Sequence, residues 1–151
     1  LTILHVEDNP DHAGLVLRCL QESRVATAVH RVEDGEAALD NLCRRGDYQN
    51  PQSSPTPNVV LLDLRLPKLD GLEVLRTIKT TDALLRIPVV ILTSSEADKD
   101  IAQSYEYHAN SYLVKPTGFE RFSEMTKLLG LLWLDWNCCP FPSEPAAVEA
   151  S

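Results

Sequence analysis

Five short apolar, mostly β-branched runs alternate with amphipathic stretches along this chain. That alternation constrains the fold more than any other feature. The runs are Ile3–Val6, Ala26–Val32, Val59–Leu62, Pro88–Leu92 and Ser111–Val114. Val59-Val60-Leu61-Leu62 is apolar without interruption, as expected of a strand covered on both faces. Ala26–Val32 is less apolar and reads as an edge. Strict β–α alternation predicts one open parallel sheet with helices on both faces and right-handed crossovers.

The helical stretches carry start signals. Asn9-Pro10 caps and opens the first helix, with Ala13, Val16, Leu17 and Leu20 on one face. Asp34-Gly35 starts the second, with Ala38, Leu39, Leu42 and Cys43 inward. Asp70-Gly71 leads into the third, carrying Leu72, Leu75 and Ile78. Ala97–His108 is a weak, polar helix, and Thr117–Asn137 a long final one. Arg44–Pro57 has three prolines and no periodicity and reads as an exposed loop. The division expected is one domain over residues 1–137 and a Pro-rich tail over 138–151.

Charge and cysteine usage exclude several classes. Fourteen Lys and Arg stand against 22 Asp and Glu, a net charge of −8. Such a chain is a poor non-specific ligand for nucleic acid or anionic membrane. No apolar run approaches the ~20 residues of a membrane span, and the first residues do not resemble a signal peptide. A cytoplasmic protein is therefore expected. Cys19, Cys43, Cys138 and Cys139 form no CxxC pair and the four histidines are scattered, so reduced thiols are expected rather than a zinc site.

In an open parallel sheet, sites form at the carboxyl ends of the strands. There the sequence places Glu7 and Asp8 after the first run, Asp63 after the third, Thr93 and Ser94 after the fourth and Lys115 after the fifth. Three close carboxylates repel one another, and a divalent cation relieves that. Mg²⁺ prefers oxygen ligands and is held by one or two carboxylates plus waters. Lys115 adds a point charge suited to a phosphate oxygen and Thr93 a hydroxyl. Asp63 then qualifies as a nucleophile that forms an aspartyl phosphate.

At these residues the sequence resembles the response-regulator receiver domain of two-component signalling. VEDNP, LLDLRLPKLDG, ILTS and YLVKP carry the resemblance, which covers residues 1 to 136. It implies a doubly wound (βα)5, CheY-like sheet of order 2-1-3-4-5. It implies Asp63 as phosphoacceptor, with Mg²⁺ held by Glu7, Asp8, Asp63 and the Arg65 main-chain carbonyl. Thr93 and Tyr112 would be the switch pair, Lys115 the phosphate-binding lysine, and the Lys115–Pro116 bond cis. Ser94 stands where the family usually has Ala or Gly, and Arg65 occupies a position that tunes phosphoryl lifetime in the family. The loop 44–57 and the Leu-Trp-Leu end of the last helix resemble single-domain regulators paired with cyanobacterial and bacterial phytochrome kinases, which implies a phytochrome-type histidine kinase as partner.

Output is then expected through protein contacts. Phe122, Met125, Leu129, Leu132 and Trp136 follow heptad-like spacing. With Tyr112 they make a candidate homodimer surface over helix four, strand five and helix five. His12, Leu15 and Arg18 are candidate exposed positions for the kinase. A haloacid-dehalogenase-type phosphatase would need an acid where Arg65 stands. A flavodoxin-like cofactor site would need a phosphate cradle where the acidic Glu7-Asp8 stands. A phosphate-independent interaction module on the same fold is the remaining alternative.

Overall fold

The computed structural model describes residues 1–22 and 27–138, the side chains of 134–136 excepted. The sheet contains β1 (Thr2–Val6), β2 (Ala28–Val32), β3 (Val59–Leu62), β4 (Val89–Thr93) and β5 (Ser111–Val114), in the order β2-β1-β3-β4-β5. Every neighbouring pair is parallel. The helices are α1 (Pro10–Gln21), α2 (Gly35–Leu42), α3 (Gly71–Thr80), α4 (Asp98–Glu106) and α5 (Phe119–Gly130).

Alternation along each strand divides the core in two. Leu4, Val6, Val60, Leu62, Val89 and Ile91 point to the side covered by α2 and α3, where Leu39, Leu42, Val74, Leu75 and Ile78 meet them. Ile3, Val59, Leu61, Val90 and Leu92 point to the other side, onto Leu15, Val16, Cys19 and Leu20 of α1 and Phe122 and Leu129 of α5. Central strands buried on both faces need this continuous apolar run. Local signals act where expected: Asn9 Oδ1 accepts from the main-chain N–H groups of Asp11 and His12, and Asp34 Oδ1 accepts from that of Ala37.

Several expectations need correction. The final helix is α-helical only to Gly130; Leu131–Trp136 widens into π-helical turns, and the N–H of Asn137 donates to Leu132 O at 2.8 Å. The switch follows Gly130, which is buried where an added Cβ would lie 3.2 Å from Leu20 Cδ2. Cys43 caps α2 and is exposed rather than inward. The 44–57 loop is mostly exposed yet anchored. Gly46–Tyr48 forms one 3₁₀ turn, Tyr48 packs on the core, and Ser54 is buried. The Lys115–Pro116 bond is trans, since no cis peptide occurs among the described residues; trans is the intrinsically favoured form of an X–Pro bond. Ala26 and Cys139 lie outside the described residues, as does the 138–151 tail beyond Cys138.

Gly71 lets the start of α3 press against the residue that matters most below. A Cβ there would lie 2.2 Å from Asp63 O and 2.6 Å from Leu64 Cα, both main-chain atoms that cannot yield cheaply. Gly14 in α1 has nothing within 4 Å. In urea unfolding, Gly71→Ala is expected to lose about 1–3 kcal/mol. Gly14→Ala is expected to gain about 0.5–1 kcal/mol by restricting the unfolded chain.

Candidate functional site

The carboxyl ends of β1, β3, β4 and β5 bring their polar residues to one rim. Glu7 and Asp63 are buried there, Asp8 is exposed, and carboxylate oxygens of all three lie within 4.8 Å of one another. Lys115, also buried, reaches across from the end of β5. Its Nζ donates to Glu7 Oε2 at 2.7 Å and to Asp63 Oδ2 at 2.8 Å. Arg65 N donates to Asp63 Oδ1 at 3.2 Å. Thr93 ends β4 fully buried, and Ser94 beside it is exposed on the cleft.

The electrostatics follow from burial working against pairing. Burial pushes Glu7 up to about 7 despite its bond to Lys115. Burial pushes Asp63 the same way, but the Lys115 bond and charge outweigh it, helped by Glu7 and Thr93, and hold the carboxyl below its usual range. A rim where one carboxyl takes a proton and another needs a lysine has more negative charge than it can hold alone. The all-oxygen donor set and its spacing fit a hard divalent cation.

Four residues that sequence reasoning did not place complete the surroundings. Arg31, on the edge strand β2, donates from Nε to Glu7 O at 3.0 Å and from Nη2 to Asp8 O at 3.3 Å, fixing the loop that carries the acidic pair. His5 is buried under the site; burial, with Lys115 and Arg31, pushes it down to about 3, so it is neutral. Asp100, on the inward side of α4, accepts from Arg65 Nη2 at 2.6 Å and from Ser95 Oγ at 2.5 Å. Ser95 also accepts at its main-chain oxygen from the Tyr112 hydroxyl, at 2.9 Å. Asp100 and Ser104, four apart, are the buried residues of α4, a polar pair where an amphipathic pattern leads one to look for apolar ones.

Beside the acidic rim lies an open cleft of about 1000 Å³ between α1 and the start of α5. His12, Leu15, Arg18, Lys115, Phe119 and Phe122 are among its lining residues. Burial and Lys115 push His12 down, and its Nδ1 lies 3.1 Å from Lys115 Nζ. Leu15, read from sequence as exposed, is instead buried in the core, because α1 turns that face toward the sheet.

The heptad-like seam is likewise mostly interior. Phe122 and Leu129 are buried against α1, and Met125 packs half-buried beside them, because the 3-4 spacing that suits a dimer also suits packing on the sheet. Leu132 is exposed, Tyr112 is half-buried, and the Trp136 side chain lies outside the described residues. Among the described side chains, the exposed apolar ones of this region are Phe119, Leu128, Leu131 and Leu132.

The Glu7 shift gives a signed pH dependence. Its folded value lies above the ordinary carboxyl value of 4.5, so between 4.5 and about 7 the folded state binds more protons than the unfolded one, and stability falls as pH rises. In chelator, wild type is expected to lose roughly 3 kcal/mol across that window through Glu7. Glu7→Gln removes that component, as read from urea melts at each pH.

Comparison with known proteins agrees with this geometry. The family model for the response regulator receiver domain matches residues 3–127. The chain is 43% identical over 141 residues to the probable methanogenesis regulatory protein FilR2 of Methanothrix harundinacea, covering 93% of this chain and 88% of that one. It is 42% identical over 138 residues to the response regulator Rcp1 of Synechocystis sp., covering 91% and 92%. The crystal structure of Mn²⁺-bound Rcp1 superposes with a TM-score of 0.88 at 40% identity, covering 93% of this chain and 99% of that one. The phosphorylated cyanobacterial phytochrome response regulator RcpA gives 0.88 at 38%, covering 93% and 98%. Among the described residues no helix is long and apolar enough to cross a membrane. The chain belongs to the response-regulator receiver family, and within it is homologous to the regulators of phytochrome systems.

Proposed function

We propose that this protein takes a phosphoryl group from a histidine kinase onto Asp63 and passes the signal on through protein contacts. The observation that carries the reading is Lys115 Nζ bridging Glu7 and Asp63, beside the buried Thr93 hydroxyl. A single cation thus already holds the phosphoacceptor and one acid of the metal pair. Glu7, Asp8 and Asp63, with the Arg65 main-chain carbonyl, would hold Mg²⁺. When bound, the ion neutralises charge on the transferring group.

The chain's own residues then do the following. Asp63, kept ionised by Lys115, attacks the phosphorus of a phosphohistidine through a carboxylate oxygen. An O–P bond forms, the N–P bond breaks, and its electron pair returns to the imidazole. Lys115 leaves Glu7 for a phosphoryl oxygen, and the Thr93 hydroxyl donates to another. Positioning and charge neutralisation supply most of the rate in such a transfer. Tyr112, tied to the Ser95 carbonyl within the β4–α4 loop, is the output residue on the α4–β5–α5 side.

The partner is a histidine kinase of phytochrome type, a reading supported by the kinship with Rcp1 and RcpA. It would dock over the α1–α5 cleft, where His12 and Arg18 flank Lys115. The exposed Phe119, Leu128, Leu131 and Leu132 support a homodimer that uses the outer side of α5. Acidic charge and the absence of a spanning helix among the described residues support work in the cytoplasm, away from nucleic acid and membrane.

Intact mass after incubation with acetyl phosphate tests the chemistry. One added phosphoryl group is expected with Mg²⁺ and none with chelator or with Asp63→Asn. If a phosphorylated kinase also leaves wild type unmodified, the phosphate-independent module replaces this reading. Sedimentation tests the dimer: wild type is expected to associate at high micromolar concentration and Leu132→Glu to run as a monomer. A monomeric wild type would refute self-association.

A further inference from the structure

Asp100 is a buried carboxylate that the phosphoryl chemistry above leaves without a task. Only 6% of the residue is exposed, and no apolar reason places an acid there. Its two partners come from the two segments that frame Asp63. Arg65, whose N–H donates to Asp63 Oδ1, sends its guanidinium to Asp100 Oδ2 at 2.6 Å. Ser95, two residues beyond Thr93, donates its hydroxyl to the same oxygen at 2.5 Å. The Arg65 side chain is otherwise largely solvent-exposed, at 65%. Its direction is therefore set by this one carboxylate rather than by packing.

We propose that Asp100 is a positioning residue that holds the Arg65 guanidinium on α4, away from the mouth of Asp63, and thereby sets how long a phosphoryl group stays there. The inference rests on Asp63 being the phosphoacceptor. Phosphorylation places about two negative charges beside the residue whose main chain already touches Asp63. An arginine released from Asp100 would turn to that group, since a charge-assisted bond to phosphate is strong and geometrically matched. In that position it would cover the phosphorus. Loss of the group requires water to attack phosphorus, forming a new O–P bond. The bond from phosphorus to the Asp63 oxygen breaks, its electron pair returns to the carboxylate, and inorganic phosphate leaves. A guanidinium over the phosphoryl oxygens obstructs that approach. By keeping Arg65 occupied, Asp100 leaves the phosphorus open and the signal short. Because Asp100 also grips Ser95, whose carbonyl takes the Tyr112 hydroxyl, the same carboxylate ties this control to the output side.

The test is the phosphoryl lifetime, read by intact mass after removal of acetyl phosphate at saturating Mg²⁺. Asp100→Asn keeps the size and an acceptor for Ser95 but removes the charge that holds Arg65. It is expected to lengthen the lifetime about threefold or more, while Asp100→Glu stays within about twofold of wild type. In an Arg65→Ala background, Asp100→Asn is expected to change nothing, because contacting residues that act as a unit are non-additive. A purely structural Asp100 would not show that dependence on Arg65. If Asp100→Asn fails to fold, Asp100→Ser carries the same expectation. An unchanged lifetime in a wild type that does phosphorylate overturns this inference alone, as does an equal lengthening in both backgrounds. A wild type that takes no phosphoryl group from acetyl phosphate or a kinase overturns it together with the reading it rests on.

Discussion

The structure turns on an excess of negative charge held at the end of a buried parallel sheet. Glu7 and Asp63 are nearly inaccessible to water, Asp8 stands beside them, and Lys115 alone bridges the two buried acids. Leaving either carboxylate ionised and unpaired in such a place is expensive. The site therefore settles its charge in two ways at once, by raising Glu7 toward neutrality and by giving Asp63 the lysine. On the function proposed above both arrangements are provisional: a divalent cation would take over the acids, and a phosphoryl group would take over the lysine.

The remainder of the fold keeps that rim in register. Four strand ends must finish at one level for Glu7, Asp63, Thr93 and Lys115 to meet, and the parallel pairing of β1, β3, β4 and β5 does this. The apolar cores on either side anchor the strands, Gly71 allows α3 to begin hard against Asp63, and Arg31 pins the acidic loop from the edge. The segments that would move are those held by polar bonds instead. The β4–α4 loop hangs on Ser95, Asp100 and Tyr112, and α4 buries Asp100 and Ser104 rather than an apolar stripe. A helix seated on few apolar contacts is drawn from the low-stability end of the molecule.

Much of this was legible in the sequence because it depends on local pattern. Strand runs that end in Glu7-Asp8, Asp63, Thr93 and Lys115 announce both the sheet and the rim. What was not legible depends on direction in space. Heptad-like spacing in the last helix gives the same pattern whether it faces a partner or the sheet, and Phe122 and Leu129 face the sheet. Leu15 went the same way. The π-helical turns after Gly130 leave no signature beyond the glycine. Asp100 and Arg31 act through partners 35 and 24 residues away, which no spacing rule connects. For Asp100 the sequence showed only a weak, polar helix, and its inward direction appears in the structure.

In the proposed function Lys115 stands in for charges that arrive with the signal. A crystal structure with Mg²⁺ and beryllofluoride, which mimics an acyl phosphate on a carboxylate, tests it most directly. The metal is expected among Glu7, Asp8 and Asp63, beryllofluoride on Asp63, and Lys115 Nζ moved from Glu7 onto a fluoride. A Lys115 that still bridges Glu7 and Asp63, with the metal bound elsewhere or not at all, would contradict it.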